Sequence, residues 1–137
     1  MYPEELTKIM RLELTNIGFK ELKNKEEVES AINTEGTSVI MVNSVCGCSG
    51  GSARPGLIKA LDNPTTPDNR FTVFAGADIE ATEQVRSHFT GYEPSSPSIA
   101  IMKDKRILFM MERKDISGKT HDQVSEKLVK AFNDFCR

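Results

Sequence analysis

The run TSVIMVN, at residues 37–43, restricts the possible folds of this chain more than any other segment. Apolar and β-branched residues occupy consecutive positions in it, so both faces of a strand built from it need cover from other elements. The run RFTVFAG, at residues 70–76, has the same character. Such strands are typical of the centre of an α/β sheet, with helices on both sides. We therefore expect the two runs to be parallel neighbours in one sheet.

Helical patterns alternate with these strands. Apolar residues recur at helical spacing after each strand, over residues 49–61 and 78–89. Two more helices precede the first strand, one beginning near Pro3 and one over residues 24–36. The chain thus begins with a helical extension, and each strand is followed by a helix that crosses to the next strand.

The last third of the chain predicts a hairpin and a helix. Two strand-like runs flank the polar segment KDKR within residues 96–112, and Thr120 and Gln123 form a capping box before an apolar helical stripe. The order βαβαββα behind a helix pair predicts an α/β fold, with a central mixed sheet of about four strands flanked by helices. Because 137 residues fit one core and no linker divides them, we expect a single domain over residues 1–137.

Charge and hydropathy exclude several classes of function. With 18 Lys and Arg against 20 Asp and Glu, the formal charge of −2 provides no basic excess for nucleic acid or an anionic membrane. The longest apolar runs, VIMV and ILFMM, are too short to span a bilayer or form a secretory core. We expect a cytoplasmic protein with no nucleic-acid or membrane partner, and the sequence carries no indication of an oligomeric state.

Cys46 and Cys48 are the candidate reactive residues. They follow the first central strand, at the sheet edge where reactive groups of α/β proteins gather, and they precede a glycine-rich helix start. Backbone N–H groups and the dipole of a helix N-terminus favour a thiolate and lower its pKa. Gly47 leaves space for a second thiol to approach the pair. A disulfide over so short a separation is strained and therefore easily reduced, which indicates thiol exchange.

Other roles for these residues are weaker. Cys-x-Cys supplies only two thiolates for a metal, whereas a structural zinc site normally needs four ligands. His88, His121 and Cys136 do not have the sequence spacing that would add the other two. The glycine-rich segment lacks the G-K-[ST] ending of a phosphate-binding loop. Both histidines are expected to be ordinary helix-surface residues and Cys136 an incidental cysteine. A metal-binding module and a pure interaction protein remain the alternatives to a thiol enzyme.

Three segments carry a resemblance to a known family. VNSVCGCSGGSARPG, FAGADIEATEQVRSHF and PSSPSIAIMKD, in that order, resemble the bacilliredoxins, thioredoxin-like proteins with a Cys-Gly-Cys active site. The resemblance implies a thioredoxin-like fold, and reductive removal of bacillithiol from S-bacillithiolated cytoplasmic proteins. It implies bacillithiol as a thiol co-substrate with no bound cofactor. Disulfide isomerase activity is a second activity that it implies.

The resemblance also implies residue roles. Cys46 would be the attacking thiol, which takes the low-molecular-weight thiol onto itself, and Cys48 the resolving thiol. Arg54 matches the helix segment of the family, and Pro97 matches the cis-proline that faces the active site. Lys114 departs from the pattern, because a histidine follows the arginine in the family. No role of that histidine can be transferred to this chain.

Overall fold

A five-stranded mixed sheet forms the centre of the molecule. The computed structural model describes residues 2–137. The strands lie in the order β1-β3-β2-β4-β5, in which β1, β3 and β2 run parallel and β4 and β5 are antiparallel to their neighbours. Their bounds are β1 Lys20–Glu21, β2 Ser38–Asn43, β3 Asn69–Phe74, β4 Ser98–Lys103 and β5 Arg106–Met111.

Helices cover both faces of this sheet. The α-helices are α1 Glu4–Thr15, α2 Lys25–Ile32, α3 Arg54–Ala60, α4 Ile79–Ser87, α5 Arg113–Ile116 and α6 His121–Phe135, and a π-helical turn, Ser49–Ala53, precedes α3. In the part of the chain that the structure describes, no helix has the length and apolar character needed to cross a membrane.

Strand β2 is buried along its whole length, as its sequence predicts. Val39 and Met41 face a core cluster that includes residues of α3 and α6, whereas Ile40 and Val42 face a second cluster that includes residues of α2 and α4. Alternate side chains of a strand point to opposite faces, so the continuous apolar run fills two cores. The predicted parallel pairing of β2 with β3 is confirmed.

The predicted hairpin and the final capping box are also present. Asp104 and Lys105 connect β4 to β5 with φ of 52° and 65°, the signs that a two-residue type I′ turn requires. The Thr120 hydroxyl accepts a hydrogen bond from Gln123 N, and the Gln123 side chain accepts one from Thr120 N. These local sequence patterns therefore set the bounds of β4, β5 and α6.

Three elements differ from the sequence-based prediction. The sheet has a fifth strand, β1, whose two residues are too few to show an alternating pattern. The four-residue helix α5 begins at its own capping box, formed by Glu112 and Asp115. The helix after β2 starts with a π-helical turn in place of a regular α-helix. None of these short elements has a periodicity that a sequence can reveal.

Three chain segments converge at one end of the sheet. Val42 of β2 pairs with Ser98 of β4, and Ile99 of β4 pairs with Met111 of β5. The segment after β2, the segment before β4 and the segment after β5 therefore lie at the same sheet edge. This edge carries both candidate cysteines.

Candidate active site

Cys46 and Cys48 lie where β2 ends and the following helical segment begins. The carbonyl oxygen of Cys46 accepts hydrogen bonds from Ser49 N at 3.1 Å and Gly50 N at 3.4 Å, so Cys46 is placed at the first turn. Both cysteines are free thiols with half-buried side chains, and their Sγ atoms are 2.9 Å apart. The structure thus brings the two residues together at a helix start, as their sequence position suggested.

The surroundings of Cys46 favour its thiolate. Burial by itself raises the pKa of Cys46, but hydrogen bonds from the Cys48 and Ser44 side chains and from Ser49 N and Cys48 N together outweigh it. Ser44 Oγ lies 3.4 Å from Cys46 Sγ. The pKa of Cys46 is therefore lowered from its ordinary value. A lowered pKa increases the fraction of the nucleophilic form near neutral pH.

The same contacts act in the opposite direction on Cys48. Burial raises the pKa of Cys48, and its hydrogen bond to Cys46 and the negative charge on Cys46 raise it further. Arg113 lowers it, but by less than these effects raise it. The pair is thus polarised: Cys46 is the more easily ionised thiol, and Cys48 is the one that holds its proton more strongly.

Arg54, a predicted supporting residue, is buried directly behind the cysteines. Its side chain is 4% exposed, and its Nη1 donates to Asn43 Oδ1 at 2.8 Å, to Ser44 O at 3.0 Å and to Ser49 Oγ at 3.0 Å. Its Nε donates to Glu13 Oε2 at 2.9 Å. Arg54 therefore holds the segment between β2 and α3 from the inside and does not reach solvent.

The residues around Arg54 were missed by the sequence analysis. Asn43 Oδ1 also accepts from Ser44 N at 2.9 Å and Ser49 Oγ at 3.1 Å, and Asn43 Nδ2 donates to Met10 O at 3.2 Å. A polar residue at the end of the apolar strand was the available indication for Asn43. Nothing in the sequence indicates the helix α1 residues, because they are more than 30 positions away.

Two glycines of the segment differ in what they allow. Apart from the adjacent cysteines, no residue would lie within 4 Å of a Cβ atom on Gly47, so this exposed position is open to an approaching molecule. A Cβ atom on Gly50 would lie 2.9 Å from Arg54 Nη2. Gly50 therefore leaves room for the buried guanidinium, whereas Gly47 leaves room on the outside.

The segments before β4 and after β5 complete the site. The Ser96–Pro97 peptide bond is cis, as the resemblance implied, and Pro97 directly precedes Ser98, the partner of Val42. Arg113 N donates to Ser95 Oγ at 3.3 Å. Lys114 is 79% exposed, and its Nζ lies 3.2 Å from Glu112 Oε2. Lys114 therefore makes a surface ion pair within its own turn.

The remaining candidates lie elsewhere. His88 Nε2 is 2.5 Å from Glu29 Oε2, a contact between α4 and α2, and His121 is exposed at the start of α6. Burial raises the pKa of Cys136, which contacts Thr37 at the opposite end of β2. Within residues 2–137, no three His, Cys, Asp or Glu side chains are grouped so as to hold a metal ion. The cysteine pair alone provides two of the four ligands of a structural zinc site.

Comparisons with known proteins identify relatives of this chain. The family model for disulphide isomerase matches residues 2–136. A bacilliredoxin of Koribacter versatilis is 47% identical over 137 residues, which cover 99% of this chain and 94% of that protein. A bacilliredoxin of Shouchella clausii is 47% identical over 127 residues (93% and 89%), and one of Cytophaga hutchinsonii is 43% identical over 134 residues (98% and 99%).

Solved structures show a similar fold. The oxidised form of mitochondrial thioredoxin 3 from Saccharomyces cerevisiae superimposes with a TM-score of 0.57 at 18% sequence identity, covering 90% of this chain and 99% of that one. At this identity the likeness establishes the fold alone. The prediction of a thioredoxin-like α/β fold is confirmed.

Proposed function

This chain belongs to the bacilliredoxin family of thiol-disulfide oxidoreductases, and we propose that it reduces mixed disulfides between protein cysteines and bacillithiol. The observation that supports this proposal is the polarised cysteine pair. Cys46 and Cys48 lie 2.9 Å apart, with the pKa of Cys46 lowered and that of Cys48 raised. An attacking thiolate beside a protonated second thiol is the arrangement that two-step thiol exchange requires.

The proposed first step transfers bacillithiol to the enzyme. The Cys46 thiolate attacks the bacillithiol sulfur of the mixed disulfide, a bond forms between those two sulfurs, and the bond to the substrate protein breaks. The substrate cysteine leaves as a thiolate and takes a proton from solvent. The exposed Gly47 position provides the space for this approach.

The proposed second step releases bacillithiol. Cys48 loses its proton and attacks Cys46 Sγ, and the electron pair of the broken bond leaves on the bacillithiol sulfur. The products are free bacillithiol and a Cys46–Cys48 disulfide, so the two electrons gained by the substrate come from the two cysteines. Consumption of the negative charge on Cys46 in the first step removes one cause of the raised pKa of Cys48. Cys48 is therefore more easily ionised once Cys46 carries the thiol.

The proposed partners follow from the same reaction. Bacillithiol is the thiol co-substrate, and the protein substrates are S-bacillithiolated proteins of the cytoplasm. No bound cofactor takes part, because both electrons come from cysteine thiols. Pro97 and Gly47 are proposed to act as supporting residues beside the pair, and Arg54 as the buried support behind it.

Trapping by single cysteine variants tests these roles. We expect Cys48→Ala, incubated with a protein carrying a bacillithiol mixed disulfide, to accumulate one bacillithiol on Cys46, because the resolving thiol is missing. Cys46→Ala should capture little, because burial, the largest cause of the raised pKa of Cys48, remains when the Cys46 side chain is removed. Intact-mass measurement of both proteins gives the result. Equal capture by the two variants, or capture by Cys46→Ala alone, would contradict the assignment.

Disulfide isomerase activity is the second candidate, and the description of the matching family model favours it. Isomerisation needs one attacking thiolate and no net change in oxidation state. Cys48→Ala should therefore keep the ability to reshuffle a scrambled disulfide protein, while losing catalytic removal of bacillithiol. Retention of both activities by this variant would exclude Cys48 as the resolving thiol.

A further inference from the structure

Arg113 lies at the sheet edge that carries the cysteine pair. It follows β5 by two residues, and the pairing of Met111 with Ile99 places this segment beside the one that precedes β4. The hydrogen bond from Arg113 N to Ser95 Oγ, 3.3 Å long, fixes its backbone against that segment. The Arg86 guanidinium also binds Ser95: its Nη2 donates a hydrogen bond to the Ser95 carbonyl oxygen at 3.3 Å.

The Arg113 side chain is exposed and takes part in none of the ion pairs formed by residues 2–137. The acidic residue next to it, Glu112, pairs with Lys114, and Asp115 accepts the hydrogen bond from Glu112 N. Both neighbouring carboxylates are thus engaged. The guanidinium keeps its full set of donors available.

Other arginines near the carboxyl ends of the strands are already occupied. Arg54 is buried and makes four hydrogen bonds within the protein. Arg11 binds both carboxylate oxygens of Asp78. Arg86 is half-buried: its Nη2 is bound to Ser95 O, and its Nε has no partner but is buried away from solvent. Of these three arginines and Arg113, only Arg113 has a side chain that is both exposed and without a hydrogen-bond or ion-pair partner within residues 2–137.

Arg113 is also close enough to act electrostatically on the pair. The pKa of Cys48 is raised by burial, by its hydrogen bond to Cys46 and by the Cys46 charge, and the Arg113 charge partly reverses this increase. Cys46 Sγ lies 2.9 Å from Cys48 Sγ, and Arg113 N binds Ser95, three residues before the residue that pairs with Val42. A group bonded to Cys46 Sγ therefore lies at the same sheet edge as the unpaired guanidinium. Guanidinium groups bind carboxylates through two parallel hydrogen bonds, which neutral thiols cannot provide.

We propose that Arg113 binds a carboxylate of the low-molecular-weight thiol that is transferred to Cys46, and so selects anionic thiols over neutral or cationic thiols of similar size. This assignment rests on the proposed function, because it requires transfer of a thiol to Cys46. Arg113 is then a specificity-determining residue. The chemistry recognised is a short thiol that carries a carboxylate.

Thiols of matched size and different charge test this assignment. A reporter protein with one cysteine is converted to mixed disulfides with 3-mercaptopropionate, 2-mercaptoethanol and cysteamine, which are anionic, neutral and cationic. The second-order rate constant for release of the reporter thiol is measured for the unmodified protein, Arg113→Gln and Lys114→Gln. For each disulfide, the rate constant of the variant is divided by that of the unmodified protein, and this ratio cancels the intrinsic reactivity of the disulfide.

Arg113→Gln should slow release from the 3-mercaptopropionate disulfide by about two- to fivefold more than release from the neutral disulfide, the size expected for an exposed ion pair. The change for the neutral disulfide measures the effect of the Arg113 charge on the cysteine pair itself. The difference between the two disulfides should shrink as ionic strength rises. Lys114→Gln is the matched control, and it should change none of the three ratios because Lys114 is paired with Glu112.

Three results would overturn the assignment. Arg113→Gln could slow thiol release from all three disulfides equally, or could leave release from the 3-mercaptopropionate disulfide at the rate of the unmodified protein. Lys114→Gln could slow release from the 3-mercaptopropionate disulfide as much as Arg113→Gln does. Failure of the unmodified protein to release any reporter thiol would instead overturn the proposed function, and this assignment with it. Equal thermal unfolding midpoints confirm that the exposed substitution leaves the fold intact.

Discussion

At the scale of single residues, hydrogen bonds decide which cysteine reacts. Cys46 and Cys48 are both half-buried, and burial is the largest single influence on the pKa of each. They differ because Cys46 accepts hydrogen bonds at the helix start, from Ser44, Ser49 N and Cys48, whereas Cys48 faces the negative charge of Cys46. Two cysteines within one helical turn therefore have pKa values shifted in opposite directions.

Removal of one of these hydrogen-bond donors should make Cys46 less reactive as a nucleophile. We expect Ser44→Ala to raise the pKa of Cys46, because its hydroxyl no longer stabilises the thiolate. The rate of Cys46 alkylation at neutral pH should fall by roughly two- to tenfold, the effect of one lost hydrogen bond. Peptide-resolved mass spectrometry of iodoacetamide labelling against pH measures this rate. Ser87→Ala, on the surface of α4, is the control and should match the unmodified protein. An unshifted titration in Ser44→Ala would show that Ser44 does not tune the site.

At the scale of secondary-structure elements, Arg54 joins three of them behind the site. Its guanidinium binds Asn43 at the end of β2, Ser49 in the π-helical turn and Glu13 in α1. A buried charge is stable only when its donors are satisfied, and here two nitrogens make four hydrogen bonds. The segment with the cysteines is therefore held in one conformation by polar contacts from its inner side.

Arg54→Met should destabilise the protein and loosen the cysteine segment. Asn43 Oδ1 and Ser49 Oγ lose their charged donor, so we expect the free energy of unfolding to fall by about 2–4 kcal/mol. Urea unfolding with linear extrapolation measures this loss. The matched variant Glu13→Gln should cost less than about 1 kcal/mol, because Glu13 is 38% exposed and its partner keeps three other bonds. Equal losses in the two variants would show that the ion pair, and not the buried network, supplies the stability.

At the scale of the whole molecule, polar contacts fix α1 on the sheet. Leu6, Ile9 and Leu12 of α1 are exposed, so apolar burial holds this helix mainly through Leu14. Arg11 compensates by binding both carboxylate oxygens of Asp78, at 2.8 and 2.9 Å, and it stacks 5.0 Å from the ring of Phe74. The Arg11–Asp78 pair thus joins α1 to the carboxyl end of β3 and the start of α4.

This pair should make stability depend on pH. Burial raises the pKa of Asp78, but its hydrogen bonds to Arg11 and the charges of Arg11 and Lys23 outweigh burial and lower it. Because the native pKa lies below the value of about 3.9 in an unfolded chain, the contribution is complete above that pH and is lost as the pH falls through the native pKa. Acidification below about pH 4 should therefore remove it.

Asp78→Asn measures this contribution. We expect a loss of about 2 kcal/mol at pH 7, which is less than the loss of about 3–5 kcal/mol for a fully buried broken pair because Arg11 and Asp78 are 14% and 8% exposed. The unfolding free energy should also depend less on pH between pH 5 and pH 2. Urea unfolding across this pH range gives both quantities. Asp134→Asn removes a surface pair with Lys130 and should change stability by less than about 0.5 kcal/mol. A parallel pH dependence in Asp78→Asn and the unmodified protein would contradict the role of Asp78.

Local sequence patterns were sufficient for the order of the longer elements and the position of the reactive pair, but not for β1 or α5. The apolar run before Asn43 predicted a strand covered on both faces, and the capping box at Thr120 predicted the start of α6. Both patterns act over a few residues, so they can be recognised without knowledge of the fold. The same holds for Cys46 and Cys48, whose place after a central strand and before a glycine-rich segment indicated thiol chemistry.

Tertiary structure decided everything that depends on residues far apart in the chain. Arg54 was a candidate from the sequence, but its partner Glu13 is 41 positions away, and its role as a buried support follows only from that contact. Arg113 lies near Cys48 because β4 and β5 pair in one particular register. The assignment of charge to Cys46 depends on donors placed by the first turn of the helix. Sequence periodicity reports which face of an element is buried, whereas the pairing of elements determines which polar groups meet.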